Sequence, residues 1–200
     1  MDGNQASTGN AYAYRLQALE QRWLARVFDL QRPYRRNIRR VTTGFVLDVG
    51  CGLGRHLGHV DGAGVGIDVD EAAVATARAR GLTAFTPADF EASEYARPAR
   101  FDSLLASHVL EHLSLAHGAA LLQRYLPYLR PWGRVILICP QEAGFRSDPT
   151  HRTFLDSSGL RQLASECGIT VTQVHSFPFP RIAGRVFAHN ETVLVGHRRW

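Results

Sequence analysis

The chain has 200 residues with 23 basic and 18 acidic side chains, a formal net charge of +5, and every basic residue is an arginine. Without lysine it can build neither a Walker-type phosphate loop nor a Schiff-base site, since both need a lysine amine. This length suits one α/β domain whose core needs no disulfide or metal staple, and three unpatterned cysteines (Cys51, Cys139, Cys167) point to a reduced, cytoplasmic setting.

All-arginine usage also follows from GC-rich coding, so the mild basicity makes nucleic acid an unlikely partner rather than an expected one. No charged segment precedes an apolar stretch, and no run approaches membrane-spanning length, which predicts a soluble protein.

The opening MDGNQASTGN is polar and reads as a disordered tail over 1–10. Residues 11–40 read as a helical extension: Leu16, Leu19, Trp23, Leu24, Val27 and Leu30 keep helical spacing. Pro33 suits the first turn of a second short helix carrying Arg35, Arg36, Arg39 and Arg40. Trp23 and Tyr12 either close a lid over a site or simply dock this extension.

From there strand and helix patterns alternate. Strands are predicted at 44–49, 64–68, 82–85, 101–107, 134–139, 169–176 and 191–197, and helices at 53–60, 70–80, 115–129 and 156–167. Gly81 and Gly168 stand where helix ends favour a left-handed residue. The alternation predicts a mostly parallel sheet in one domain, 41–200, with no internal repeat.

The stretch FVLDVGCGLGRHL, 45–57, places Gly50, Gly52 and Gly54 directly after the first strand. In a doubly wound sheet this turn cradles the ligand, because N–H groups at a helix start are unpaired and glycines let a ligand approach the backbone. A dinucleotide site wants G-x-G-x-x-G, whereas here the third glycine comes one residue early and Arg55 follows. Asp48 beside the loop would repel a pyrophosphate but suits a ligand carrying a sulfonium and an ammonium. Asp68, in GVGIDVD at the end of the second strand, can accept from both ribose hydroxyls.

The pattern D-x-G-x-G-x-G followed by G-x-D resembles the class I S-adenosylmethionine-dependent methyltransferases, particularly small bacterial ones of the quinone O-methyltransferase type. The resemblance runs from about 41 to 198 and includes ADF (Asp89, Phe90), FDSLLASHVLEHL and LRPWGRVILICP, where the family usually has glycine in place of Trp132. It implies a Rossmann-like seven-stranded sheet ordered 3-2-1-4-5-7-6, its last strand antiparallel, with helices on both faces. It implies that Gly50, Gly52 and Gly54 line the methionine part of S-adenosylmethionine, with Asp48 orienting the amino group. Asp68 would bind the ribose, with Val69 against the adenine. Asp89 would take the adenine amine and the Phe90 backbone a ring nitrogen. Ser107 and His108 would flank the sulfonium.

A hydroxyl acceptor needs a base, or a metal that lowers its pKa. HVLEH, 108–112, also matches an inverted zinc-protease motif, which requires both histidines on one continuous helix. His108 instead sits where a strand is ending. In quinone-type and small-RNA 3′-end methyltransferases a related cluster accompanies a divalent metal. The resemblance therefore implies that His108, Glu111, His112 and His151 face the acceptor, as acid/base groups or around an ion such as Mg²⁺, or that some merely orient the loop.

The segment 176–190 is too long for a simple hairpin. Phe177, Phe179 and Phe187 suit an apolar acceptor pocket or a homodimer contact. The expected activity is methylation of a small molecule, at oxygen in preference to nitrogen or carbon. The alternatives are a metal-assisted 2′-O-type RNA methyltransferase and a catalytically silent cofactor-binding partner.

Overall fold

The computed structural model describes residues 31–198; the expected tail, the helix over 11–30, Trp23 and Tyr12 lie outside the described residues. The strands are β1 (Val46–Val49), β2 (Gly64–Ile67), β3 (Ala84–Phe85), β4 (Phe101–Ser107), β5 (Leu129–Pro140), β6 (Ile169–Phe177) and β7 (Glu191–Arg198). The helices are α1 (Arg32–Val41), α2 (Arg55–His59), α3 (Glu71–Ala79), α4 (Pro87–Glu91), α5 (Leu115–Tyr125), α6 (Glu142–Arg146) and α7 (Ser157–Glu166).

One sheet of order β3-β2-β1-β4-β5-β7-β6 results, parallel except that β7 runs antiparallel to both β5 and β6. The short strands β1 and β2 are buried along their whole length, as expected of parallel strands covered on both faces. Alternate residues feed two cores. Leu104, Val135, Leu137 and Cys139 join Phe90, Phe101, Leu122 and Leu163 on one face. Leu105, Ile136 and Ile138 meet Ile38 and Val41 of α1 on the other.

Four helix starts are fixed by side chains that accept from first-turn amides: Asp70 on α3, Thr86 on α4, Ser114 on α5 and Asp156 on α7. Gly81 and Gly168 do take left-handed φ values of 78° and 69°, just beyond α3 and α7.

The boundaries depart from the sequence expectation at a few places. The helix expected to run to 129 ends at Tyr125 and tightens into a 3₁₀ turn, Leu126–Tyr128, because Pro127 has no N–H to continue it. β5 starts earlier, with Leu129 paired to Phe101 before a register shift. Within that irregularity Trp132 has φ 61° and is 70% exposed, a left-handed conformation that glycine adopts at less cost. The five-residue helices α4 and α6 are too short to show a period. Among the described residues no helix is long and apolar enough to cross a membrane.

Candidate active site

β1 delivers the chain into a loop of left-handed glycines, with φ 76° at Gly50, 52° at Gly52 and 78° at Gly54. The Gly50 and Cys51 amides donate to the Ile67 carbonyl at 2.8 and 3.0 Å, tying the loop to the end of β2. A Cβ on Gly50 would stand 2.8 Å from the Val109 side chain, so the residue needs glycine for space as well as for φ. Cys51 is buried with Val74, Ala77 and Ala84 and fills the space under the loop.

Asp68 accepts from the Gly52 amide at 2.7 Å and from the Asp70 amide at 2.9 Å. Burial raises its pKa, against the lowering effect of those backbone bonds. Asp48 differs: it is fully buried, and neither carboxylate oxygen has a hydrogen-bond partner. Burial first, and then the charge of Asp68, push it up to about 7, with Arg55 opposing. The Ser107 hydroxyl, at the end of β4, is likewise buried without a partner. Val69 holds an apolar side chain 84% exposed next to Asp68. Asp89 is exposed and meets Arg78 at 3.3 Å.

On the other side of the strand ends, His108 leaves β4 with φ 56°. Its Nδ1 lies 3.2 Å from Glu111 Oε1 and its Nε2 lies 2.8 Å from Glu191 Oε1. Burial alone would lower the pKa of His108, but the bonds to Glu111 and Glu191 raise it to about 10. The ring is therefore an imidazolium at neutral pH and has no free lone pair with which to act as a base. Glu111 is completely buried, which raises its pKa, yet the bond from His108 wins and holds it below the usual range. Its Oε2 has no nitrogen or oxygen donor, while the Cys139 thiol lies beside the carboxylate.

Glu111 and His112 belong to a 3₁₀ turn, Leu110–His112, which breaks any continuous helix through His108 and His112. This geometry rules out the inverted zinc-protease arrangement. The Glu111 carbonyl accepts from the Arg152 and Thr153 amides at 2.7 and 3.0 Å, and so draws His151 alongside. The His112 and His151 rings meet edge to face at 4.8 Å. His151 donates from Nδ1 to the Phe145 carbonyl at 2.8 Å. Thr150 spends its hydroxyl proton on Asp148, so the His112 Nδ1, 3.2 Å away, must donate to the Thr150 oxygen. In its neutral form each ring thus carries its lone pair on Nε2. Ligand atoms of Glu111, His112 and His151 lie within 4.8 Å of one another.

Residues 46–133 match the methyltransferase domain family. Among solved structures the chain is similar to an S-adenosylmethionine-dependent methyltransferase of Archaeoglobus fulgidus, at 16% identity and TM-score 0.65 over 82% of this chain and 92% of that one. It is similar to the methyltransferase complexed with the activator Trm112 of Haloferax volcanii, at 17% identity and TM-score 0.70 over 96% of each chain. Magnesium protoporphyrin IX methyltransferase of Synechocystis, with bound S-adenosylhomocysteine, aligns at 14% identity and TM-score 0.59 over 85% of each chain. No curated protein matches the chain in sequence. The matched segment, 46–133, carries the pattern of a methyltransferase domain, and the sheet as a whole has the fold of these methyltransferases.

The loop glycines, Asp48, Asp68, Val69 and Ser107 gather around the ends of β1, β2 and β4. Two assignments change. The Phe90 amide donates to the Thr86 carbonyl inside α4 at 2.9 Å and its ring is core, so its N–H is not free for an adenine nitrogen. His108 does not join Glu111, His112 and His151 as a fourth member of one cluster; it is clamped between two glutamates.

The residue that sequence reasoning missed is Glu191, 83 positions beyond His108. Nothing local in HNETVL marks it. Only the antiparallel return of β7, which pairs Glu191 with Pro140, brings it to the end of the sheet where β4 releases His108. A buried amide network seats it: Gln141 Nε2 donates to the Glu191 carbonyl at 3.0 Å, and Asn190 Nδ2 donates to Gln141 Oε1 at 2.9 Å. Of the aromatic segment, Phe179 and Phe187 pack on each other at 5.4 Å, while Phe177 packs on Tyr34 of α1 at 5.3 Å.

Proposed function

We propose that this methyltransferase moves the methyl group of S-adenosylmethionine to a hydroxyl of a small molecule. The observation that carries the cofactor side is Asp48, a buried carboxylate with both oxygens unbonded, since such a group is costly unless a cation meets it. The ammonium of S-adenosylmethionine is that cation in this reading. Asp68 accepts from the ribose hydroxyls, Val69 covers the adenine, Asp89 receives its amine, and Ser107 stands beside the sulfonium. The open left-handed loop leaves Gly50, Gly52 and Gly54 as the floor under the methionine part.

The acceptor side rests on Glu111, His112 and His151. Two imidazoles with free Nε2 lone pairs and one ionised carboxylate form a set that fits a divalent ion, and two nitrogen ligands favour Mn²⁺ over Mg²⁺. A bound ion would lower the pKa of the acceptor hydroxyl. Without one, His112 or His151 is positioned to take the hydroxyl proton, a role the clamped His108 does not share. Positioning supplies much of the remainder, since an in-line displacement at a sulfonium gains up to ~7–11 kcal/mol from orientation. Three free cysteines favour a reducing, cytoplasmic compartment.

The test is transfer of labelled methyl from S-adenosylmethionine to a panel of small hydroxyl and amine compounds, with and without chelator. Label on a hydroxyl, lost on chelation and restored by Mn²⁺, supports the full reading. Label that survives chelation assigns the proton to a histidine, and label on amines alone contradicts O-methylation.

A further inference from the structure

At the other end of the sheet lies a cavity of about 300 Å³ between the end of α1, β5 and the β6–β7 edge. Arg40, Arg134 and His197 line it together with Thr172 and Gln173, and no carboxylate is among its lining residues. β6 carries a register shift between Val171 and Gln173, opposite Gly196 and Val195, and the bulge places Thr172 and Gln173 at the cavity mouth.

Neither arginine here meets a carboxylate, in contrast to five others among the described residues. Arg39, Arg78, Arg124, Arg130 and Arg181 each face a carboxylate: Asp61, Asp89, Glu91, Asp102 and Glu142. Arg134 instead donates from one nitrogen, Nη1, to the Arg40 and Val41 carbonyls at 3.3 and 3.1 Å. Arg40 uses only Nη2, on Asn37 at 3.2 Å and on His175 Nε2 at 3.4 Å. Two arginines from different elements thus line one cavity, with Nε and one further nitrogen of each left without a protein acceptor among the described residues. His197, held by Nδ1 to the Trp132 carbonyl at 3.2 Å, adds a third basic group. Like charges lining one cavity repel, and an anion placed among them relieves that repulsion. The α1 carbonyls that would repel such an anion are already covered by Arg134.

We propose that this cavity binds a phosphate group. A phosphate offers more than one unit of negative charge and three or four acceptor oxygens, which matches two separate forks; a carboxylate satisfies only one. The volume accommodates the phosphate with part of the molecule that bears it. Arg134 sits where β5 pairs with Ser103 of β4, whereas the glycine loop follows the far ends of β1 and β2, so the two sites are separate. The phosphate belongs either to a small phosphorylated molecule or to a nucleic-acid backbone.

Calorimetry with inorganic phosphate, a nucleoside monophosphate and a short single-stranded RNA, at low and moderate salt, tests the site. The wild-type protein binds inorganic phosphate at one site, and Arg40→Glu weakens it about tenfold or more. Arg134→Gln does the same if α1 keeps its place, and S-adenosylhomocysteine binding by each variant checks that it is folded. RNA binding far tighter than phosphate, with a steep salt dependence lost in Arg40→Glu, identifies a polyanionic backbone as the source. Comparable affinity for the monophosphate and RNA identifies a small phosphorylated molecule. Absence of phosphate binding to the wild type, or equal binding by a folded Arg40→Glu variant, overturns the proposal.

Discussion

Asp48 has its pKa raised from 3.8 to about 7 by burial and by Asp68. The ligand-free protein is therefore favoured in its Asp48-protonated form: the stability that protonation contributes is complete below the ordinary carboxyl value and is lost as pH rises through about 7. A bound ammonium requires the ionised form, so binding expels a proton below that pH. Affinity for S-adenosylhomocysteine should rise about tenfold between about pH 6 and pH 8, with proton release visible in buffers of different ionisation enthalpy. Asp48→Asn should flatten that dependence and weaken binding by roughly tenfold or more at the upper pH. A flat wild-type profile would remove Asp48 from the ligand. Asp68→Ala should cost most of the affinity, because the ribose hydroxyls lose their acceptor and the Gly52 amide loses its anchor.

At the scale of elements, β1 and β2 were visible in the sequence as short apolar runs, because parallel strands covered on both faces are written that way. The glycine loop was legible for a related reason: three left-handed positions in five residues tolerate little else. Gly50→Ala should lose about 1–3 kcal/mol of stability, read by chemical denaturation, since both its φ and Val109 oppose a side chain. Trp132→Gly should leave stability unchanged or raise it by up to ~1 kcal/mol, because the exposed indole buries little and its φ of 61° is strained; a clear destabilisation would show that the indole packs. Less legible were α4 and α6, too short for a period, and the amide of Phe90, whose fate depends on a helix that the sequence hides. His108 was found for its place after β4, but its clamping partner Glu191 arrives only through strand pairing across 83 residues.

For the whole molecule, the proposed function puts the cofactor at the ends of β1, β2 and β4 and the acceptor beside Glu111, His112 and His151. The two halves should separate under mutation. His151→Ala and Glu111→Ala should lower turnover by about 10²-fold or more while S-adenosylhomocysteine affinity stays within about twofold, the usual scale for removing an acid/base group. Full activity in both variants would make the cluster a loop anchor, as its backbone bonds to Arg152 and Thr153 allow.

The most direct measurement of the central claim is a calorimetric titration of the wild-type protein with S-adenosylhomocysteine and, in parallel, with NADH. An ammonium beside Asp48 and a ribose on Asp68 predict one-site binding of S-adenosylhomocysteine and none of NADH, whose pyrophosphate would meet Asp48 at its closest approach to the loop. Binding of NADH in preference to S-adenosylhomocysteine would contradict the account.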